Sequence, residues 1–397
     1  MDKNKSRRSF FGKAAIAGGA AITAAESGLA AKKTSVTTSQ KKTTSVELMN
    51  VGALCVGDGS HMNYGIWAPT INPTKEEPWY GRTTGMRISH CWDKDPAVAE
   101  SFAKKYGCDT VKNYYDMVGK VEGMIFSGFF EVKWWPQLTK PYLEAGIPCH
   151  INRPFAYSMK AAREMVETAK KYNTPIQCTD EREYIKEAQV GRWKVEELLK
   201  EKRNILGTNG DNSSDNYPQY ASHGLYFMLA ILGLDVAQVS FQADGWWRDA
   251  LPGVKGNGMH WGLLSLQYNG IKIDGVGEQT VPFVATQQQI VGQRANAGMK
   301  IYYSGGWWDI MNYWEAGEPL NRIYQLFFPT IFAIQRMFET RKMQWSYDYI
   351  LQKTRIFLTG FKSHVDHNGQ MIRVADLPDE WEAPHFAPNW IDEKIFK

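Results

Sequence analysis

Residues 48–62 read LMNVGALCVGDGSHM, an apolar run from Leu48 to Val56 that breaks straight into Gly57-Asp58-Gly59-Ser60-His61-Met62. An unbroken apolar run of that length suits a strand buried on both faces. Glycines directly after such a strand let the backbone approach a pyrophosphate, which then rests on the amides opening the next helix. Two of the three glycines of that fingerprint are present, and Met62 stands where the third is expected. Gly57, Gly59, Ser60 and His61 are therefore candidate ligands of a dinucleotide.

Downstream, residues 87–92 (RISHCW) form a second strand ending at Asp93, where a carboxylate can accept bonds from ribose hydroxyls. A carboxylate there favours NAD over NADP, because it repels a 2′-phosphate. Asp95 as cap, Pro96 at the first position, apolar Val98, Phe102 and Tyr106, and Gly107 as terminator mark the following helix. From Gly59 to Asp93 there are 34 positions against the usual spacing of about 20. The surplus holds Pro69, Pro73, Pro78, Trp67 and Trp79, and reads as an inserted loop at the ligand edge or as surface decoration. Strands are further expected at 123–128 (GMIFSG) and 148–151 (PCHI), with Ser127, Asn152 and Arg153 at their ligand ends. A helix over 159–172 would bury Met159, Ala162, Val166 and Ala169. Alternating strands and helices of this kind make a parallel sheet with crossover helices.

Composition narrows the class. The 397 residues suffice for more than one core, and 43% hydrophobic with 22% charged residues is ordinary globular composition. Of the formal charge of +4, most falls in residues 1–30, which leaves no basic surface for nucleic acid. The five cysteines have no metal-ligand spacing and read as small buried hydrophobes. His364-x-x-His367 with Asp366 has no third distant ligand, so no metal is expected. Arg7-Arg8, Phe10-Phe11 and the weakly apolar Ala14–Ala25 look like a twin-arginine signal over 1–30, too short to span a bilayer. It predicts export to the periplasm of an already folded chain. The Lys/Thr/Ser-rich stretch 31–45 reads as a flexible linker.

Beyond Gln177 strand-like runs accumulate at 236–243, 263–268, 271–276, 281–290 and 299–303, with Asn269-Gly270 as a two-residue hairpin signal. Helices are expected at 329–341 and 347–364, with Asn368-Gly369 as a stop. Among 15 tryptophans, the pair Trp134-Trp135 in a loop is the best candidate for stacking on a sugar, with Tyr184 and Tyr217 beside it. The pairs Trp246-Trp247 and Trp307-Trp308 read as packing.

The segments DKDPAVAESFAKKYG (93–107), YLEAGIPCHINRPFA (142–156), MKAAREMVETAKKYN (159–173), PIQCTDEREY (175–184) and HGLYFMLAILG (223–233) together resemble the Gfo/Idh/MocA family of nicotinamide-dependent sugar oxidoreductases. The likeness runs from residue 46 to about 375. It implies an α/β fold: a Rossmann NAD(P)-binding domain over 46–176, then an α+β domain over 177–397. That second domain has a large open, mainly antiparallel sheet for substrate binding and homo-oligomer formation. It also implies NAD as cofactor and a small carbohydrate substrate. Two positions depart from the family pattern. Arg153 replaces the catalytic lysine, and Asp-x-x-x-His becomes Gln219-x-x-x-His223, so the acid is missing. Arginine stays charged and orients rather than shuttles a proton. His223, read as lying at a helix N-terminus that favours neutral imidazole, is the expected general base, with Tyr217 and Tyr220 as relays. Asn216-Tyr217-Pro218 ahead of His223-Gly224-Leu225 also resembles the family's NAD-dependent glycosidase branch, which works through a transient 3-keto sugar. A non-catalytic sugar-binding member is the third expectation.

Overall fold

The apolar run becomes β1 (Met49–Leu54), which pairs in parallel with β2 (Met86–Trp92) and β4 (Gly123–Phe126). With β3 (Asp109–Thr110), β5 (Cys149–Ile151) and β6 (Ile176–Gln177) they form a six-stranded sheet of order β3-β2-β1-β4-β5-β6. All its pairings are parallel. This is the doubly wound arrangement, whose chain order reverses between β1 and β4 and whose ligands bind outside the carboxyl ends of those strands. β1 stops before Val56 because Cys55 turns to φ 59, while its amide still donates to Trp92 O at 2.9 Å. The computed structural model describes residues 47–57, 60–62, 67–76, 84–213, 217–245, 261–290, 297–310, 327–384 and 393–396. The signal and linker read over 1–45, Asp58, Gly59, Pro78, Trp79, Trp246-Trp247 and the side chains of Gln219 and Tyr220 lie outside the described residues.

Four helices cover this sheet: α1 (Trp67–Ile71), α2 (Pro96–Tyr106), α3 (Trp135–Glu144) and α4 (Met159–Lys171). α2 has the caps its sequence announces. Asp95 accepts from Ala97 N, and Gly107 closes the helix at φ 69, a left-handed conformation that glycine adopts at no steric cost. α4 buries Met159, Ala162, Met165, Val166 and Ala169, one residue more than the expected stripe. Trp134 and Trp135 are not in a loop. They open α3 and are buried, with the Trp135 ring edge-on to Phe126 at 5.8 Å. Burying a ring such as Phe126 contributes about 1.5–3 kcal/mol, and this is where the pair's apolar area goes.

The second sheet is built from β7 (Ile205–Ser213), β8 (Val236–Ala243), β9 (Trp261–Tyr268), β12 (Phe283–Ile290), β13 (Ala297–Tyr303), β14 (Gly306–Ile310) and β15 (Ile372–Arg373). Its order is β14-β13-β7-β12-β9-β8-β15, antiparallel except for β7 with β12. Alternation sets the faces: Phe283, Ala285, Gln287 and Gln289 point inward from β12. Against this face lie α5 (Lys186–Lys200) and α6 (Ser222–Leu232). The hairpin expected at Asn269-Gly270 does not form. Both edges of β9 are already held by β8 and β12, and neither turn residue has the positive φ a tight two-residue turn needs. The chain instead leaves the sheet, and β10 (Ile271–Ile273) pairs with β11 (Gly277–Gln279) alone.

Two long C-terminal helices follow, α7 (Phe328–Thr340) and α8 (Tyr347–His367), the latter stopped by Asn368 at φ 50. α7 returns to the first sheet, where Ile331, Ile334, Met337 and Phe338 join the core of Val51, Met86 and Ile88. Part of the layer over the parallel sheet thus comes from residues expected in the second domain. Among the described residues, no helix is long and apolar enough to cross a membrane.

Candidate active site

The carboxyl ends of β1, β2, β4 and β5 converge, as strand order requires, and each supplies a candidate ligand group. At β2 the buried Asp93 accepts from Gly57 N at 2.9 Å and from Asp95 N at 3.1 Å. Burial raises its carboxyl above the ordinary range. At β1 the turn continues with Ser60 Oγ donating to Gly57 O at 2.7 Å and His61 N donating to Ser127 O at 3.1 Å, while Ser60 bridges Gly128. Ser127, at the end of β4, directs its hydroxyl at the carbonyls of Leu54 and Cys55, both 3.0 Å away. Asn152, after β5, donates to Ser127 O at 3.0 Å and accepts from Arg153 N at 2.9 Å. Gly57, Ser60, His61, Asp93, Ser127, Asn152 and Arg153 therefore lie along one edge of the sheet.

Beyond that edge lies a dry cluster of charge. Arg153 is only 2% exposed, and its guanidinium reaches four partners. Nε lies 2.5 Å from Asp180 Oδ2, Nη2 lies 2.6 Å from His223 Nε2, and Nη1 lies 3.2 Å from both His61 Nε2 and Asn152 Oδ1. His223 Nδ1 hydrogen-bonds the Asp180 carboxylate. The network fixes the tautomer: Nδ1 carries the proton toward Asp180, and Nε2 accepts from Arg153. Burial, then the Arg153 and Arg182 charges, push His223 down to about 3, overriding the opposite pull of Asp180. Burial alone would raise the Asp180 carboxyl, but His223 and Arg153 hold it well below its usual range. The cluster rests as arginine cation, aspartate anion and neutral imidazole.

His223 is the second residue of α6, at the helix start the sequence indicated, but a π turn over Tyr217–Ala221 runs directly into that helix, and burial and arginine charge are what keep the imidazole neutral. One sequence expectation is corrected here: its acid is not missing. Asp180 supplies from another element the carboxylate that Gln219 lacks, 43 positions before the histidine. Tyr217 is core: its ring stacks on Phe357 and its hydroxyl donates to Phe357 O at 2.8 Å. Burial pushes that phenol far up, which removes it as a relay and as a substrate ligand. The buried Tyr184 hydroxyl accepts from Gln177 Nε2, and Trp134 and Trp135 are packed away, so these three do not line the cluster.

The turn carrying Asp180 went unassigned in the sequence. Asp180 caps Glu181–Glu183: its Oδ1 accepts from Arg182 N at 2.9 Å, while its own amide donates to Glu183 Oε2 at 2.7 Å. Glu183 is in turn held by Lys353 of α8, whose Nζ lies 2.9 and 3.0 Å from its two oxygens and 2.8 Å from Cys178 O. Lys353 also stands 4.5 Å over the Tyr226 ring. Between Asp180 and Glu183, buried Glu181 points at His61, with Oε1 3.3 Å from Nδ1, and burial pushes it up to about 7. Asp-x-x-Glu after an apolar strand is the legible trace of this turn, a reciprocal cap.

Asp180, Glu181 and His223 offer ligand atoms within 4.8 Å of one another, a spacing open to a metal ion. The Arg153 guanidinium already fills the cation's place there. A divalent ion beside it would meet repulsion on the order of 8 kcal/mol at about 4 Å and an effective dielectric of about 20. The arginine is the cluster's cation.

No protein-family model matches the sequence, and no curated protein matches it. Solved structures do. Scyllo-inositol dehydrogenase from Lactobacillus casei, with NAD(H) and scyllo-inositol bound, is 13% identical with a TM-score of 0.62, covering 83% of this chain and 100% of its own. Myo-inositol dehydrogenase from the same organism, with NAD(H) and myo-inositol, is 13% identical at 0.62, covering 85% and 99%. Myo-inositol 2-dehydrogenase from Lactobacillus plantarum is 14% identical at 0.60, covering 82% and 99%. At these identities the likeness is one of fold, and the chain has the two-sheet α/β fold of these inositol dehydrogenases.

Proposed function

We propose that the protein is an NAD-dependent oxidoreductase acting on a ring hydroxyl of a sugar or cyclic polyol. The observation that carries this reading is the convergence of two half-sites at the carboxyl ends of β1, β2, β4 and β5. One half is the Gly57–Asp93 pair. A Cβ added at Gly57 would stand 3.3 Å from Val98 Cγ1 and 3.4 Å from Asp93 Oδ2, so a side chain there would crowd the turn against Val98. The other half is the Arg153–Asp180–His223 cluster.

NAD fits these residues: Gly57, Ser60 and Asp93 would hold its adenosine and pyrophosphate side, and His61, Ser127 and Asn152 its nicotinamide side. Bound there, NAD supplies a two-electron hydride acceptor. Arg153 gives the substrate oxygen a permanent charge and donors in a fixed fork. Asp180 and neutral His223 hold that fork from the far side, and the buried walls keep water from competing for the same donors. The bound inositols of the solved relatives support a polyol as substrate class. The arginine pair in residues 1–30 supports export in folded form, and Arg7→Lys with Arg8→Lys should keep the protein in the cytoplasm.

The direct test is to denature purified protein and identify released nucleotide by mass spectrometry, then measure binding of NAD⁺ and NADP⁺ to emptied protein. Stoichiometric or tight NAD(H) is the expected result. Failure of both nucleotides to bind refolded protein removes the oxidoreductase reading.

A further inference from the structure

We propose that Glu181 is the group that takes the hydroxyl proton when the substrate alcohol is oxidised, in place of either histidine of the cluster. The proposal rests on the nicotinamide-nucleotide reading above. Both nitrogens of His223 are engaged, Nδ1 by Asp180 and Nε2 by Arg153 Nη2 at 2.6 Å. His61 gives Nδ1 to Asn152 Oδ1 at 3.0 Å, and its Nε2 faces Arg153 Nη1. A carboxylate has more acceptor sites than one histidine contact uses. Glu181 Oε1 is buried, no hydrogen bond among the described residues reaches it, and His61 Nδ1 stands 3.3 Å away.

Five groups face this carboxyl. They are His61 from the turn after β1, Arg153 from the end of β5, Asp180 and Arg182 on its own turn, and His223 on α6. Burial and then Asp180 favour the protonated form, while Arg153 and Arg182 favour the ionised one, and the balance falls near neutrality. A carboxyl so balanced passes between acid and base with little cost in either direction.

The step balances as follows. The substrate O–H bond breaks and its proton joins Glu181 Oε1. The electron pair left on oxygen becomes the second C–O bond as the carbon's hydride leaves for the nicotinamide ring. The carbon is oxidised by two electrons and the ring is reduced by the same two. In the reverse direction Glu181 returns the proton to the oxygen. Arg153 holds that oxygen throughout and changes its own protonation in neither direction.

The oxidised nicotinamide ring carries a positive charge, and bringing it to this cluster should expel the Glu181 proton. An opposite charge within a few ångströms lowers a carboxyl pKa by roughly 1–3 units, which releases up to about half a proton per site at the midpoint. The measurement is calorimetric titration of the full chain, emptied of nucleotide, with NAD⁺ and with ADP-ribose in buffers of different ionisation enthalpy between pH 6 and 8. Proton release with NAD⁺ and none with ADP-ribose, abolished in Glu181→Gln while NAD⁺ still binds within about tenfold, is the expected result. Equal release with ADP-ribose overturns the proposal, since the proton then comes from the adenosine side, where Asp93 lies. Binding of NAD⁺ without release, or with release unchanged in Glu181→Gln, overturns it too, and the nucleotide reading stands. Absence of NAD⁺ binding to the wild type overturns both. If Glu181→Gln does not fold, the wild-type comparison of the two nucleotides still decides, read also as loss of a protonated-carboxyl infrared band on adding NAD⁺.

Discussion

Arg153 Nη2 stands 2.6 Å from Nε2 of His223, so the guanidinium covers the one imidazole nitrogen that could accept a proton. The contact binds the two ends of the site, since Arg153 follows β5 and His223 belongs to α6. It also makes the histidine's charge state a property of the arginine. Replacing Arg153 with methionine removes the larger of the two arginine charges that act on His223 and leaves Asp180 and Arg182 as its charged neighbours. The imidazole should then titrate at least 1–3 units above its present value of about 3. Imidazole proton shifts followed by NMR against pH measure this directly. A His223 resonance that stays unprotonated to the same acidity would show that Arg153 does not set it.

Lys353→Met removes the cation that holds Glu183 and leaves a buried carboxylate without its partner. Breaking such a pair costs about 3–5 kcal/mol, whereas replacing both members by apolar groups of similar size is often neutral. Urea unfolding should therefore show a large loss for Lys353→Met and recovery in Lys353→Met with Glu183→Leu. A single variant as stable as the wild type would mean that the pair does not hold the turn.

Gly224→Ala tests how closely α6 lies on the second sheet. A Cβ there would fall 1.9 Å from Gln287 Oε1, and Gln287 is itself held by Gln289 Nε2 at 3.0 Å. Overpacking of this kind costs about 1–3 kcal/mol and should displace His223 one residue away. Thermal denaturation gives the first effect and the His223 titration the second.

Glu181 carries a pH signature whose sign follows from its folded value of about 7 against 4.5 for the free side chain. Between these values the native state holds a proton that the unfolded chain has released. The contribution of Glu181 is thus full below 4.5 and is lost as pH rises to about 7. The difference in unfolding free energy, wild type minus Glu181→Gln, should fall by up to about 1.4 kcal/mol per pH unit across that window. A difference independent of pH would show that Glu181 is ionised throughout.

The parallel sheet was legible because four of its strands, β1, β2, β4 and β5, are short apolar runs that end in chemically distinct residues, whereas the polar, exposed β3 left no such trace. Asp93, Ser127 and Asn152 mark those ends, and Asp95 and Gly107 mark the caps of α2. The fate of Asn269-Gly270 was not legible, because whether two strands pair depends on which edges are free, and β8 and β12 are distant partners of β9. Trp134 and Trp135 were misplaced for a related reason: an aromatic pair does not state which face it turns to the core. Asp180 was the largest omission. Its bond to His223 joins residues from a turn after β6 and a helix after β7, and the local pattern at 216–223 only announced an absence. The reciprocal cap from Asp180 to Glu183 could have been read, but its target could not.

The tie between Lys353 and Glu183 spans 170 positions of chain. During synthesis, the turn presenting Asp180 and Glu181 emerges long before the lysine that neutralises its last residue. Until α8 has left the ribosome and docked, Glu183 has no cation and the turn no anchor on that side. Completion of the site therefore waits for α8, and a chain stalled before residue 353 would carry the whole parallel sheet with an unfinished centre.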